Sequence, residues 1–289
     1  MSAPSPTGLF MTPTERDPGP STSASPSDAV SPADPPHLID EAASLGATPN
    51  WAKPAAPPPR LGFLDLVLAL VAGGVCMAAG LVGVRFALGA ERVASLAQGA
   101  DPSGLLLVFT VFFAAMVVAV WVGVLRHGKA GSALLGLRPC AARWWWLAPL
   151  CVVALSVAMD ELLLRLMRSL FDLDLTPQTS HVIAALAKTV QLSLVATIAI
   201  GLLGPFAEEL LFRGLIYGYV DGRFGARAAW IASSILFALA HAEPAHVALV
   251  VPLGLVLGWI RWQSASLWPC IAAHIANNTL VVWWAFLDS

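Results

Sequence analysis

The chain has 289 residues, of which 57% are hydrophobic and only 12% are charged, and its formal net charge is −2. Soluble domains carry roughly 25% charged residues, so this composition excludes an ordinary soluble fold and requires much of the chain to lie in lipid. The chain has no excess of basic residues, so nucleic acid is not predicted as a partner. None of the four cysteines belongs to a CxxC pair, which argues against a zinc knuckle or a disulfide framework.

Residues 1–60 form a separate region that is rich in proline, serine and alanine. This region holds more than half of the chain's 22 prolines and shows no periodic pattern of apolar residues. Such a segment buries too little apolar surface to offset the entropy that ordering would cost. We therefore predict a disordered cytoplasmic tail over residues 1–60 and a transmembrane helical domain over residues 61–289. No apolar h-region follows the first methionine, so a signal peptide is not expected.

Seven apolar stretches follow the tail, and a membrane-spanning helix needs about 20 mostly apolar residues. The fold class predicted from them is all-α, a polytopic transmembrane helix bundle of about seven spans, with six to eight compatible with the hydropathy. The fifth and sixth stretches are short and are predicted to form a helical hairpin around Glu243 and Pro244. The predicted spans are residues 64–88, 104–125, 144–163, 190–220, 228–243, 246–261 and 267–287.

Basic residues are concentrated on one side of this seven-span arrangement. The loop after the second span carries four of them, the loop after the fourth carries Arg223 and Arg227, and Arg261 follows the sixth. Loops rich in lysine and arginine stay in the cytoplasm. We therefore predict a multi-pass cell-membrane protein with a cytoplasmic N-terminus and an external C-terminus.

Polar residues within the predicted spans are the informative ones, because a charge at the centre of the bilayer costs roughly 2.5–3.5 kcal/mol. They form three clusters, all after residue 200, in the runs PFAEELLFRG, FALAH and HIANN. The residues of interest are Glu208, Glu209, Arg213, Phe237, His241, His274 and Asn278.

Each cluster also has a purely structural explanation. Glu209 and Arg213 stand at i and i+4 in the order that favours a helical ion pair, which would neutralise two costly charges. Glu208 has no basic residue at i+3 or i+4, so this explanation does not extend to it. His241 could be a packed histidine, and a pairing of His274 with its neighbour one turn later could be an interhelical clasp.

Depth in the membrane links the three clusters. At 1.5 Å per residue, Glu208 and His241 both lie about 20 Å from the loop that joins their helices. By the same measure, His274 and Asn278 lie roughly 15 and 20 Å from the loop before their helix. Four polar groups on three helices are thus predicted to reach one layer of the membrane, as a buried site requires.

The three clusters match the motifs EExxxR, FxxxH and HxxxN, in that order. On membrane spans, this ordered set resembles the CAAX protease and bacteriocin-processing (CPBP) family of intramembrane endopeptidases, which includes the type II CAAX prenyl endopeptidases. The resemblance covers about residues 185–287. It implies hydrolysis of a peptide bond in a membrane-anchored peptide or protein, near a prenylated or otherwise anchored C-terminus, within the lipid bilayer.

Peptide hydrolysis needs an activated water, an oxyanion site and a proton for the leaving amine. We predict that Glu208 is the general base, that His241 polarises the same water, and that His274 and Asn278 donate hydrogen bonds to the oxyanion. The family resemblance implies the same roles. Three further residues are predicted to support these groups structurally: Glu209, Arg213 and Phe237.

Three alternatives stay open at this point. A zinc site could use His241, His274 and Glu208 as ligands, although no HExxH motif occurs and the glutamate mechanism predicts no cofactor. A proton-coupled transporter could use the same charges as a relay, but no second copy of EELLFR or HIANN indicates an internal repeat. A membrane scaffold could keep the fold without the activity.

The remaining polar residues are assigned no chemistry. Glu161 and Arg165, next to Asp160, are interpreted as an interfacial ion pair. Glu243 and His246 flank a proline and are interpreted as turn residues.

Overall fold

The structure is a computed structural model that describes residues 59–96, 101–159, 164–172 and 178–288. Almost all of the predicted tail lies outside the described residues, and so do Asp160 and Glu161 of the predicted interfacial pair. Within the described ranges every regular element is a helix, which confirms the all-α prediction.

In the described part of the chain we number ten helices in order, and a short 3-10 helix, Leu125–His127, follows the second of them. Five of them, α1, α2, α7, α9 and α10, are long and apolar enough to cross a membrane, which confirms a polytopic membrane protein. The shorter apolar helices α4 and α8 stand where the third and fifth spans are predicted. The helices are α1 Phe63–Leu96, α2 Pro102–Val124, α3 Ala130–Leu134, α4 Trp144–Ala158, α5 Arg165–Phe171, α6 Gln178–Leu186, α7 Val190–Phe224, α8 Ala226–Leu239, α9 Pro244–Ser264 and α10 Trp268–Leu287.

Helices α1 and α2 pack closely through small residues. A Cβ atom added at Gly123 of α2 would lie 2.8 Å from the backbone oxygen of Asp65, so only glycine allows this approach. Gly73 of α1 faces α2 as well, since a Cβ built there would lie 3.1 Å from the Cβ of Ala119.

The loops that carry the basic residues meet at one end of the bundle. Arg60 donates a hydrogen bond to the backbone oxygen of Gly222 at the end of α7, and Arg223 donates to that of Leu61. Asp65 is fully buried at this end, where it pairs with Arg126 and accepts a hydrogen bond of 2.9 Å from His127. These contacts tie the starts and ends of three helices together.

Arg261 is a correction to the sequence analysis, which places it in a loop. It lies inside α9 and is buried, and its Nε donates to the backbone oxygen of Arg213, 3.1 Å away. Its guanidinium also stacks over Tyr217 at 4.7 Å. A buried arginine is tolerated there because α7 supplies both an acceptor and an aromatic face.

Helices α8 and α9 form the predicted hairpin. Ser234 of α8 donates a hydrogen bond of 2.8 Å to the backbone oxygen of Gly254 in α9. A Cβ at Gly258 would come within 2.6 Å of the Ser234 hydroxyl, so small residues set the separation of the two helices. His241 lies in the turn of the hairpin, two residues after α8 ends at Leu239.

Candidate active site

Helix α7 is irregular around the two glutamates. A single α-helical segment, Gly204–Glu209, lies between two π-helical segments, Thr197–Leu203 and Leu210–Ile216. Segments of π-helix are rare and occur often at functional sites. Because a π turn holds an extra residue, these segments change which side chains of α7 face its neighbours.

Glu209 and Arg213 form the ion pair that the sequence predicts. Both side chains are fully buried, and Arg213 Nη1 lies 2.9 Å from Glu209 Oε1. The second amino group of Arg213 donates to the backbone oxygen of Gly254 at 3.0 Å, which ties α7 to α9. The pair is therefore part of the contact between two helices as well as a link within one.

His274 of α10 contacts both glutamates. Its Nδ1 lies 2.9 Å from Glu209 Oε1, and its Nε2 lies 3.7 Å from Glu208 Oε2. The exposed fractions of the three side chains are 3% for His274, 0% for Glu209 and 17% for Glu208. Glu208 is thus the carboxylate that water can reach, whereas Glu209 is enclosed by its two partners.

Phe237 joins the FxxxH motif to the other two motifs. The Arg213 guanidinium lies 4.2 Å from the centre of the Phe237 ring, and the rings of His241 and His274 meet it edge-on at 5.0 and 5.6 Å. The buried phenyl ring therefore separates and orients the charged and titratable groups that surround it. This contact gives the predicted support role of Phe237 a geometric basis.

The contacts of His241 define its tautomer. Its Nδ1 lies 2.9 Å from the backbone oxygen of Phe237. A carbonyl oxygen only accepts hydrogen bonds, so Nδ1 must carry the proton. In the neutral ring, Nε2 then holds the free lone pair and can accept a hydrogen bond from a water molecule.

Asn278 contacts α7 away from the glutamates. Its side-chain amide donates a hydrogen bond of 3.3 Å to the backbone oxygen of Ile200. In the π-helical segment, the N–H of Gly204 donates to the backbone oxygen of Ala199. By the same spacing, the donor to the backbone oxygen of Ile200 would be the next residue, but that residue is Pro205 and has no N–H. Asn278 supplies the missing donor, a structural role that sequence reasoning does not reveal.

The structure thus brings six of the seven singled-out residues into one network of contacts, around Phe237 and His274. Asn278 stands one turn beyond His274, and in the described part of the chain its side chain bonds Ile200 and Asn277. From the sequence, only the predicted ion pair with Arg213 distinguishes Glu209 from Glu208. Sequence reasoning misses the hydrogen bond between Glu209 and His274, since residues 65 positions apart give no local signal.

The arrangement of donor atoms bears on the zinc alternative. In the described ranges, no group of three or more His, Cys, Asp or Glu side chains is placed to hold a metal ion. The Nδ1 atoms of His241 and His274 are engaged by Phe237 and Glu209, which leaves their Nε2 atoms free to serve as ligands. That the protein needs no metal ion stays a prediction of the glutamate mechanism.

Comparison with known proteins bears on the same part of the chain. Residues 189–280 match the family described as "Type II CAAX prenyl endopeptidase Rce1-like". The predicted resemblance is therefore confirmed. The matched segment contains all three motifs and runs from the start of α7 into α10.

One curated relative is similar over a shorter stretch. This chain is 31% identical over 81 residues to "Putative membrane peptidase YdiL" of Bacillus subtilis (strain 168). The alignment covers 28% of this chain and 33% of that protein, so the chain matches about a third of its relative's length. No solved structure matches the chain.

Proposed function

We propose that this chain is an intramembrane endopeptidase that hydrolyses a peptide bond with a water activated by Glu208. The observation that carries the proposal is the placement of Glu208, which is partly accessible to water and lies 3.7 Å from a histidine that Glu209 holds in place. The match of residues 189–280 to a peptidase family and the membrane peptidase relative support it.

The proposed reaction begins with a water molecule between Glu208 and His241. Glu208 removes a proton while the lone pair of His241 Nε2 accepts a hydrogen bond from the same water. The resulting hydroxide attacks the carbonyl carbon of the substrate and forms a tetrahedral oxyanion. The C–N bond then breaks, and protonated Glu208 returns its proton to the leaving amine, so that an acid and an amine are released.

The oxyanion would be stabilised by donors on α10. His274 can donate from Nε2 only in its doubly protonated form, because Nδ1–H is directed at Glu209. Asn278 has a second amide N–H besides the one that bonds Ile200 and could donate it to the oxyanion.

The proposed substrate is a membrane-anchored peptide or protein, cleaved near a prenylated or otherwise anchored C-terminus. The site is built from helices α7, α8 and α10, of which α7 and α10 are long and apolar enough to cross the bilayer. A substrate held in the same bilayer reaches such a site without leaving the membrane. The cytoplasmic N-terminus and external C-terminus belong to the same proposal and rest on the bias of the loop charges.

The test compares membrane-anchored peptide fragments in cells that carry either the native chain or Glu208→Gln, by mass spectrometry. Glu91→Gln is the matched control, because Glu91 is an exposed glutamate of α1 outside the motifs. We expect fragments that depend on Glu208 and persist in the control. Identical fragment sets in the native and Glu208→Gln cells would reject the peptidase assignment.

A further inference from the structure

The turn that joins α8 to α9 is unusually tight. After α8 ends at Leu239, the N–H of Glu243 donates a hydrogen bond of 2.7 Å to the backbone oxygen of His241, only two residues earlier. Ala242, between them, has a φ of +61°, a left-handed conformation that residues with a Cβ rarely adopt. Three-residue turns of this kind are strained, and such strain persists where the surrounding structure enforces it.

The turn brings a second histidine against the first. His246 lies in the first turn of α9, and its ring meets the ring of His241 edge-on with the centres 4.6 Å apart. Phe237 approaches His241 from the preceding helical turn at 5.0 Å, again edge-on. The His241 ring is therefore in contact with one aromatic ring from each helix of the hairpin.

We propose that His246 is a positioning residue that fixes the ring of His241 for catalysis, an inference that rests on the proposed endopeptidase function. The hydrogen bond to Phe237 holds Nδ1, but a single bond leaves the ring free to tilt about it. Edge-on contacts with the rings of both His246 and Phe237 restrict that tilt. Nε2 then stays directed at the water that Glu208 deprotonates.

A positioning role requires the aromatic ring of His246 but not its ability to exchange a proton. A phenyl ring at position 246 keeps the edge-on contact but cannot exchange a proton, whereas a methyl group keeps neither. The informative pair is therefore His246→Phe and His246→Ala. His181→Ala is the matched control, since His181 is an exposed histidine of α6 outside the proposed machinery.

The kinetic test uses the full chain in lipid nanodiscs. The probe is a quenched fluorescent peptide that spans the bond whose cleavage in cells depends on Glu208. We expect His246→Ala to lower kcat about tenfold with KM unchanged, since a displaced catalytic group slows the chemical step without weakening binding. His246→Phe should recover most of the native kcat, and His181→Ala should match the native chain.

A spectroscopic test needs no substrate. In protein labelled with ¹⁵N in its six histidine rings, long-range ¹H–¹⁵N spectra report which ring nitrogen carries the proton, and His241→Gln identifies the His241 signal. We expect the Nδ1–H form in the native chain and in both variants, because the hydrogen bond to Phe237 persists. The Nε2 signal of His241 should be sharp in the native chain and in His246→Phe, and broadened by ring motion in His246→Ala.

An unchanged kcat in His246→Ala, or a His246→Phe chain as slow as His246→Ala, would overturn the inference. An equally sharp His241 signal in a folded His246→Ala would overturn it as well. If cells show no cleavage that depends on Glu208, the proposed function fails, while the spectra still report whether His246 restricts the ring.

Discussion

The imidazole of His274 is hydrogen-bonded to Glu209 at 2.9 Å, and it lies farther, at 3.7 Å, from Glu208. The second glutamate of the EExxxR motif therefore holds a predicted oxyanion donor in addition to pairing with Arg213. The sequence assigns Glu209 to the structure of α7 alone. The contact across to α10 gives it a second task, because it sets which nitrogen of His274 faces the first glutamate.

The two adjacent glutamates should differ in what they lose on substitution. Glu208→Gln keeps the shape and removes the base, so we expect a loss of activity of at least a hundredfold with little change in thermal stability. Glu209→Gln should lower both, because it deprives Arg213 and His274 of their negatively charged partner. Unfolding temperature in detergent beside cleavage rate is the measurement. A stable, inactive Glu209→Gln beside an active Glu208→Gln would reverse the two roles.

Removing Arg213 should cost stability that a second substitution restores in part. Arg213→Met leaves Glu209 buried with one partner fewer, which costs about 3–5 kcal/mol for a broken buried pair. In the double variant Arg213→Met with Glu209→Gln no unpaired charge remains, so its loss should be smaller than the sum of the single losses. Thermal unfolding of the four proteins measures this coupling. Strictly additive losses would show that the pair is not a coupled unit.

The two roles of Asn278 can be separated through Pro205. Asn278→Ala should reduce stability by about 0.5–1.5 kcal/mol, because it removes the donor from the half-buried carbonyl of Ile200. Adding Pro205→Ala supplies a backbone N–H to α7 and should recover much of that stability. If Asn278 also stabilises the oxyanion, cleavage stays slow in the stable double variant. Full recovery of cleavage would mean that Asn278 acts only on the structure of α7.

Strong chelation should leave cleavage intact. The glutamate mechanism assigns the activation of the water to Glu208 and His241, so it needs no metal ion. The measurement is the cleavage rate after dialysis against a chelator, with a zinc-dependent peptidase treated in parallel as the control. Loss of cleavage that returns on adding zinc would favour the metal alternative.

The orientation of the bundle is open to a reporter assay. Reporters fused after Arg126 and after Arg223 should read cytoplasmic, and a reporter fused after Ser289 should read external, because the basic loops favour the cytoplasmic side. The contacts of Arg126 with Asp65 and of Arg223 with Leu61 place both of the first two points beside the start of α1, so they share a side. An external reading at Arg223 would invert the predicted topology.

Much of this site is predictable from the sequence, because the spacing and the rise of a helix depend only on position along the chain. Spacing of four residues places Glu209 beside Arg213 and Phe237 beside His241 on their helices, and both contacts occur. A rise of 1.5 Å per residue places the polar groups of separate helices at similar depth. The apolar composition alone requires membrane spans, and a span must satisfy its backbone hydrogen bonds internally. A helix does so within one segment.

Which faces of the helices meet is a matter of rotation and packing, and only the tertiary structure decides it. The π-helical segments on both sides of Glu208 and Glu209 turn α7 by amounts that a regular helical repeat does not give. Glu209 consequently faces His274, a residue 65 positions away, and Asn278 bonds the carbonyl that Pro205 leaves free. The strained turn at Ala242 likewise brings His246 to His241, although the sequence marks His246 only as a neighbour of a proline. Spacing fixes the neighbours along one helix, whereas neighbours on different helices depend on how close-packed side chains set the rotation of each helix.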